Sequence, residues 1–174
     1  MPRVTPEQLR ERLAKLFPDA LVPPPPPPTA PEGSKHGAPP NMLITNDTVI
    51  SPHYLTATVT YLRDQLGYTF LSDIAVVDFL ADGVFELGYR FYHPEGGGPL
   101  VIKVRVPREK PEITALTPIW PGANFHEREA FDLFGITFIG HPFLRRIYMW
   151  DEFEGFPMRK DFPKQGDKYI GAEE

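Results

Sequence analysis

The residues with the means to do chemistry crowd into the last third of the chain. Glu127, Arg128, Glu129 and Asp132 sit together, His126 precedes them and His141 follows, and Arg145, Arg146, Arg159, Lys160 and Asp161 complete the set. His126 lies three residues before Glu129, which puts two metal-ligand types on one helix face. Two ligands in a charge-rich helix do not define a metal centre. His141 with Glu127 or Asp132 has the composition of an acid–base pair, but no nucleophile pattern or oxyanion motif accompanies it. The structural reading is stronger: Gly140-His141-Pro142 makes a rigid turn whose imidazole bonds locally or to a partner. Gly96-Gly97-Gly98 lacks the strand-to-helix setting of a phosphate loop and reads as a turn.

Positioning these side chains requires a helix. Residues 123–134 read as one, stopped by Gly135. At about 100° per residue, Arg128, Glu129 and Asp132 share a face, and Arg128 and Asp132 are spaced to pair. Ala130, Phe131, Leu133 and Phe134 form a broad apolar face, and Glu127 falls inside that arc. A buried carboxylate needs a partner or its pKa rises. The expected partners are the downstream cations Arg145, Arg146, Arg159 and Lys160.

Composition removes whole classes of function. The chain has 174 residues and no cysteine, so it holds neither disulfides nor cysteine-ligated zinc or iron–sulfur clusters. A net charge of −5 gives no basic excess for nucleic acid or an anionic membrane surface. No apolar run approaches transmembrane length, and the first residues lack the apolar core of a signal peptide. The expected location is cytoplasmic.

The elements upstream follow from periodicity. Thr5, Pro6 and Gln8 begin a short amphipathic helix carrying Leu9, Leu13, Leu16 and Phe17. Six prolines from Pro23 to Pro28 and the polar stretch to Asn41 read as a spacer. A second helix is expected over 52–66, ending at Gly67. Beyond Thr69 the period becomes two. Strands over 70–79, 85–91 and 100–106, joined by Asp82-Gly83 and the 94–99 loop, make an antiparallel meander with one buried face. Helix 52–66 is its simplest cover. After His141, large aromatics and both signs of charge follow with little regular pattern. That mixture suits an arm laid across another protein, with aromatic and Arg anchors.

Three blocks in order carry a resemblance: E-R-E-x-x-D-x-F-G-I from Glu127, G-H-P-x-L-R-R-I from Gly140, and R-K-D-F-P from Arg159. The chain resembles the 30-kilodalton subunit family of respiratory complex I, known in bacteria as the C subunit of NADH-quinone oxidoreductase. Glu127, Arg128, Glu129, Asp132, Gly135, His141, Pro142, Leu144, Arg145, Arg146, Arg159, Lys160 and Asp161 match the family's blocks. Phe143 and Phe156 depart from them, standing where members usually carry a small polar or acidic residue and a His. The resemblance implies an α+β domain, two-layered, with a mostly antiparallel or mixed sheet covered by helices and an extended C-terminal arm. It implies no cofactor in this chain, with FMN, iron–sulfur clusters, NADH and quinone in partner subunits. The implied partners are the 49-kilodalton-type subunit and other iron–sulfur subunits of the peripheral arm, on the cytoplasmic face of the cell membrane. The expected organisation is an N-terminal helix over 1–17, a proline-rich linker over 18–47, an α+β domain over 48–140 and an interaction arm over 141–174. The chain is expected not to be the long form fused to the 49-kilodalton subunit. Two alternatives stay open: the equivalent subunit of a membrane-bound hydrogenase or of a quinone dehydrogenase not fed by NADH, and a stand-alone acid–base enzyme using His141.

Overall fold

The computed structural model describes residues 4–26 and 43–163. The spacer from Pro27 to Asn41 and residues 164–174 lie outside the described residues. Helix α1, Pro6–Leu16, begins with a reciprocal capping box: the Gln8 amide donates to Thr5 Oγ1 at 3.3 Å, and Gln8 Oε1 accepts from the Thr5 amide at 3.1 Å. Its buried face carries Leu9 and Leu13. The chain then runs antiparallel beside β1, Thr48–Ile50, so the start of the stretch read as a linker is docked. The Val22 amide donates to the Val49 carbonyl at 3.0 Å, and the Ser51 amide to the Ala20 carbonyl at 2.8 Å.

The helix expected over 52–66 opens with a 3-10 turn, Pro52–Tyr54, and continues as α2, Leu55–Asp64. Ser51 makes no side-chain capping bond. Strands β2 (Phe70–Phe79), β3 (Val84–Tyr92) and β4 (Leu100–Pro107) form the expected meander. Strand β1 adds to it in parallel beside β4, giving a mixed four-stranded sheet ordered β1-β4-β3-β2. Alternation puts Phe85, Leu87, Tyr89 and Phe91 on the same face as Leu100, Ile102, Val104 and Val106, all buried. The other face carries charge. Glu86, nearly buried there, is held by Lys103 at 3.2 Å and Arg105 at 2.8 Å.

Helix 52–66 is not the sole cover of the core face, which corrects the expectation. Helix α3, Ala123–Phe134, lies against β2, with Phe134 edge-on to Phe85 at 5.9 Å between ring centroids. Leu55, Val59 and Leu62 of α2 join the same core. Phe91 packs against Trp120, 5.3 Å between centroids, from the loop leading into α3. Strands β5 (Glu112–Thr114) and β6 (Thr137–Ile139) bracket α3 and pair in parallel as a second small sheet. Each spans three residues, too short for a period to show in sequence. The architecture is α+β.

Candidate functional site

Helix α3 ends where Gly135 turns left-handed at φ 73°, its amide bonding the Phe131 carbonyl at 2.8 Å. The ring of Phe156 lies so close that a Cβ on Gly135 would sit 2.5 Å from it. That contact gives one of the two departures from the family pattern a place: Phe156 plugs the helix end. Two guanidiniums flank its ring, Arg146 at 5.4 Å and Arg159 at 4.8 Å from the centroid.

The segment after His141 lies along α3 and is fastened by it. Asp132 is fully buried. Its Oδ1 accepts from Arg146 Nη1 at 2.7 Å, and its Oδ2 accepts from the amides of Ile147, Tyr148 and Met149 at 2.9, 2.7 and 3.0 Å. Burial opposes ionisation of Asp132, but the Met149 amide, the Arg146 guanidinium and the other two amides together hold its pKa below the ordinary value. Arg146 also donates to the carbonyls of Asp132, Phe153 and Gly155, each at 3.0 Å. Arg128 donates to the carbonyls of Arg145 and Arg146 at 3.1 and 3.2 Å. The expected Arg128–Asp132 pair is therefore corrected: both side chains turn from each other to backbone and cations of the arm.

Glu127 is also fully buried, but its partners are not the cations that spacing suggested. The Leu116 amide donates to one of its oxygens in a short hydrogen bond, and Thr117 Oγ1 donates to the other at 2.6 Å. Glu127 thus ties α3 to the turn after β5, and none of Arg145, Arg146, Arg159 and Lys160 bonds it among the described residues. Burial raises its pKa in spite of these hydrogen bonds. His141 does come near it, Nε2 standing 3.8 Å from Glu127 Oε2 with both side chains sealed from solvent. His141 Nδ1 accepts the Phe143 amide at 3.0 Å, so the neutral ring carries its proton on Nε2. Burial lowers the imidazole's pKa. Nε2 itself has no hydrogen-bond partner among the described residues. His126 and Glu129 belong to no group of three or more possible metal ligands among the described residues.

The third block returns across the sheet. Arg159 Nε donates to the Phe134 carbonyl at 2.7 Å, and its guanidinium stacks on Phe85 at 5.1 Å. The Lys160 amide donates to Asp78 Oδ2 at 2.8 Å. Asp161 binds Arg108 at 2.7 Å, and Arg108 in turn binds the nearly buried Asp78 at 2.8 Å. Asp78 and Arg108 were missed by sequence reasoning. The available signal was parity: Asp78 pairs across β2 and β3 with Phe85, so it sits on the core face and needs a cation. Leu144 packs partly buried against the core, and Pro142 is exposed.

Fastened backbone leaves side chains facing out. Phe125, Phe143, Tyr148, Trp150 and Met158 are all exposed, Trp150 to 63%. Arg145 lies over Phe143 at 4.3 Å, and Arg128 stands between Phe125 and Phe143 at 5.7 and 6.0 Å. The second departure from the family pattern, Phe143, therefore adds apolar surface to an Arg–aromatic patch.

Residues 48–168 match the family described as respiratory-chain NADH dehydrogenase, 30 Kd subunit. The C subunit of NADH-quinone oxidoreductase from Moorella thermoacetica is 43% identical over 117 residues, covering 67% of this chain and 79% of that protein. The corresponding C 2 subunit of Rhizobium etli is 43% identical over 122 residues, covering 68% of this chain and 65% of its own length. Among solved structures, the trypsin-resistant fragment of Nqo5 is 33% identical with a TM-score of 0.50, covering 56% of this chain and 80% of that one. A chain of the membrane-bound sulfane sulfur reductase, an archaeal respiratory membrane complex, shares the fold at a TM-score of 0.66 and 20% identity, covering 91% and 85% of the two chains. With residues 48–168 matched, the first block built into α3 and the other two into the segment fastened along it, the chain belongs to the family of the 30 Kd subunit of respiratory-chain NADH dehydrogenase.

Proposed function

We propose that this chain is a non-catalytic subunit in the peripheral arm of a proton-translocating NADH:quinone oxidoreductase. It supports a 49-kilodalton-type subunit near the quinone site while electrons pass through FMN and iron–sulfur clusters held by its partners. One observation carries the reading: the C-terminal arm is pinned to its own domain by backbone and buried charge, while Phe143, Tyr148, Trp150 and Met158 face outward. A rigid surface with aromatic and Arg anchors suits a lasting protein interface. The sealing of His141 and Glu127 away from solvent supports a structural rather than catalytic use of the pair. No helix among the described residues is long and apolar enough to cross a membrane, and a peripheral seat on the cytoplasmic face is the corresponding placement.

The test is an affinity pull-down of the tagged chain from gently solubilised native membranes, with mass spectrometry of what accompanies it. Recovery of 49-kilodalton-type, iron–sulfur and flavin subunits is the expected result. The same set without a flavin subunit would move the chain to an assembly fed by another donor. A soluble chain that brings nothing with it would overturn the subunit reading.

A further inference from the structure

Near the end of the described arm is an open groove of about 700 Å³. That volume is within the range of about 300–1,000 Å³ common for ligand sites. Met149, Phe153, Phe162 and Pro163 form apolar walls, and Arg159 and Lys160 supply charge. Phe153 and Phe162 stack, 5.9 Å between centroids and 27° between planes. Gly155 makes room for that arrangement: it turns left-handed at φ 90°, and a Cβ there would stand 2.7 Å from the Phe162 ring.

The cations of the groove differ from their neighbours in being under-used. Arg146 reaches a carboxylate and three carbonyls, Arg108 reaches two carboxylates, and Arg128 reaches two carbonyls. The Arg159 guanidinium lies against the Phe85 and Phe156 rings, and of its N–H groups only Nε has an acceptor, the Phe134 carbonyl. Its two terminal nitrogens and the Lys160 ammonium have no acceptor among the described residues. Burial and then the adjacent Arg108 cation depress the Arg159 pKa, so an added anion would relieve unfavourable charge. The local balance sets the size of that anion. Arg108 pairs with Asp78 and Asp161, Arg159 feels the same two carboxylates, and Lys160 lines the groove as a third cation, so three positive charges stand against two negative ones. One carboxylate neutralises that excess; a phosphate dianion would reverse it beside Asp161.

We propose that this groove seats an acidic segment of a neighbouring subunit, with one Asp or Glu side chain between Arg159 and Lys160 and an adjacent apolar side chain packed on Phe153 and Phe162. The inference rests on the subunit reading above and adds the chemistry of the contact. A guanidinium and an ammonium converging on one carboxylate give directional, charge-assisted hydrogen bonds. The aromatic wall removes water from them, which strengthens the pairing.

The test uses the assembled complex. A carbodiimide couples an amine to a carboxylate in contact, so it should link Lys160 to an Asp or Glu of another subunit, read by mass spectrometry. Lys160→Arg should assemble with the same partners and lose that link. Lys160→Glu should recover about tenfold less partner, equivalent to about 1.4 kcal/mol. The Lys160 side chain is exposed and only its backbone amide bonds Asp78, so both variants should keep the fold, checked by far-ultraviolet circular dichroism. An amine-acetylating reagent should modify Lys160 at least about tenfold more slowly in the complex than in the free chain. If the redox subunits co-purify but Lys160 is acetylated equally fast in both states, or links only to carboxylates of its own chain, the groove proposal fails and the subunit reading stands. A chain that recovers no partner overturns both.

Discussion

Asp132 offers two oxygens to four donors, one of them a guanidinium and three of them consecutive amides. An amide side chain of the same shape keeps one acceptor and turns a donor toward N–H groups. Asp132→Asn should therefore cost about 3 kcal/mol, in line with breaking a buried ion pair from one side, read as a lower urea midpoint at neutral pH. The pH dependence has a definite sign. The folded pKa of Asp132 is depressed, so its stabilisation is present above the unfolded carboxylate value and is lost as pH falls through the folded one. The gap between wild type and Asp132→Asn should close in acid. Glu127 behaves oppositely. Its folded pKa is raised by burial, so its contribution is complete below the unfolded value and declines as pH rises through the folded one. Glu127→Gln keeps an acceptor for the Leu116 amide, offers an N–H to Thr117 Oγ1, whose hydroxyl turns from donor to acceptor, and removes the buried charge. Its stability relative to wild type should improve as pH rises across the acid range. A constant difference at every pH would mean that Glu127 is not strained by burial.

At the scale of elements, the end of α3 is set by two constraints on one residue. Gly135 needs a positive φ and must also admit the Phe156 ring, whereas Gly83 has a similar φ of 67° with nothing near its missing Cβ. Gly83→Ala should cost about 1 kcal/mol, the left-handed penalty alone. Gly135→Ala should cost that and more, because the ring must move, and Phe156→Ala should make the second cost disappear in a double-mutant cycle. Additive effects would show that Phe156 does not plug the helix end. These elements also show what sequence can reveal. The strands over 70–79 and 100–106, the capping box at Thr5 and Gln8, and the stop at Gly135 are visible because each signal is local. Strands β1, β5 and β6 are too brief for periodicity. The partners of Asp132, Glu127 and Asp78 were misjudged or missed for another reason. Helical spacing proposed Arg128 for Asp132, yet a chain segment fourteen to seventeen residues away covered that face and supplied better donors. Spacing along one helix says nothing about what packs over it.

For the whole molecule, the question is whether the arm is in place before a partner arrives. An arm that needs its partner in order to fold would exchange its amides quickly after about residue 140 in the free chain. The structure argues otherwise for particular positions. Amides of Ile147, Tyr148 and Met149 end on Asp132, the Met158 amide on the Leu133 carbonyl and the Lys160 amide on Asp78. A surface held in its bound shape avoids part of the ordering cost of association, about 0.5–1.5 kcal/mol for each side chain immobilised. Phe143 and Tyr148 would then meet their partner on a fixed backbone. Hydrogen exchange of the free chain should show these five amides protected above their neighbours. In Asp132→Asn, residues 147–149 should lose protection together while Lys160, held by a different carboxylate, keeps it. Uniformly fast exchange beyond His141 in the free wild-type chain would instead mean that the arm is ordered by its partner, and the charges around Asp132 would be part of the interface rather than its support.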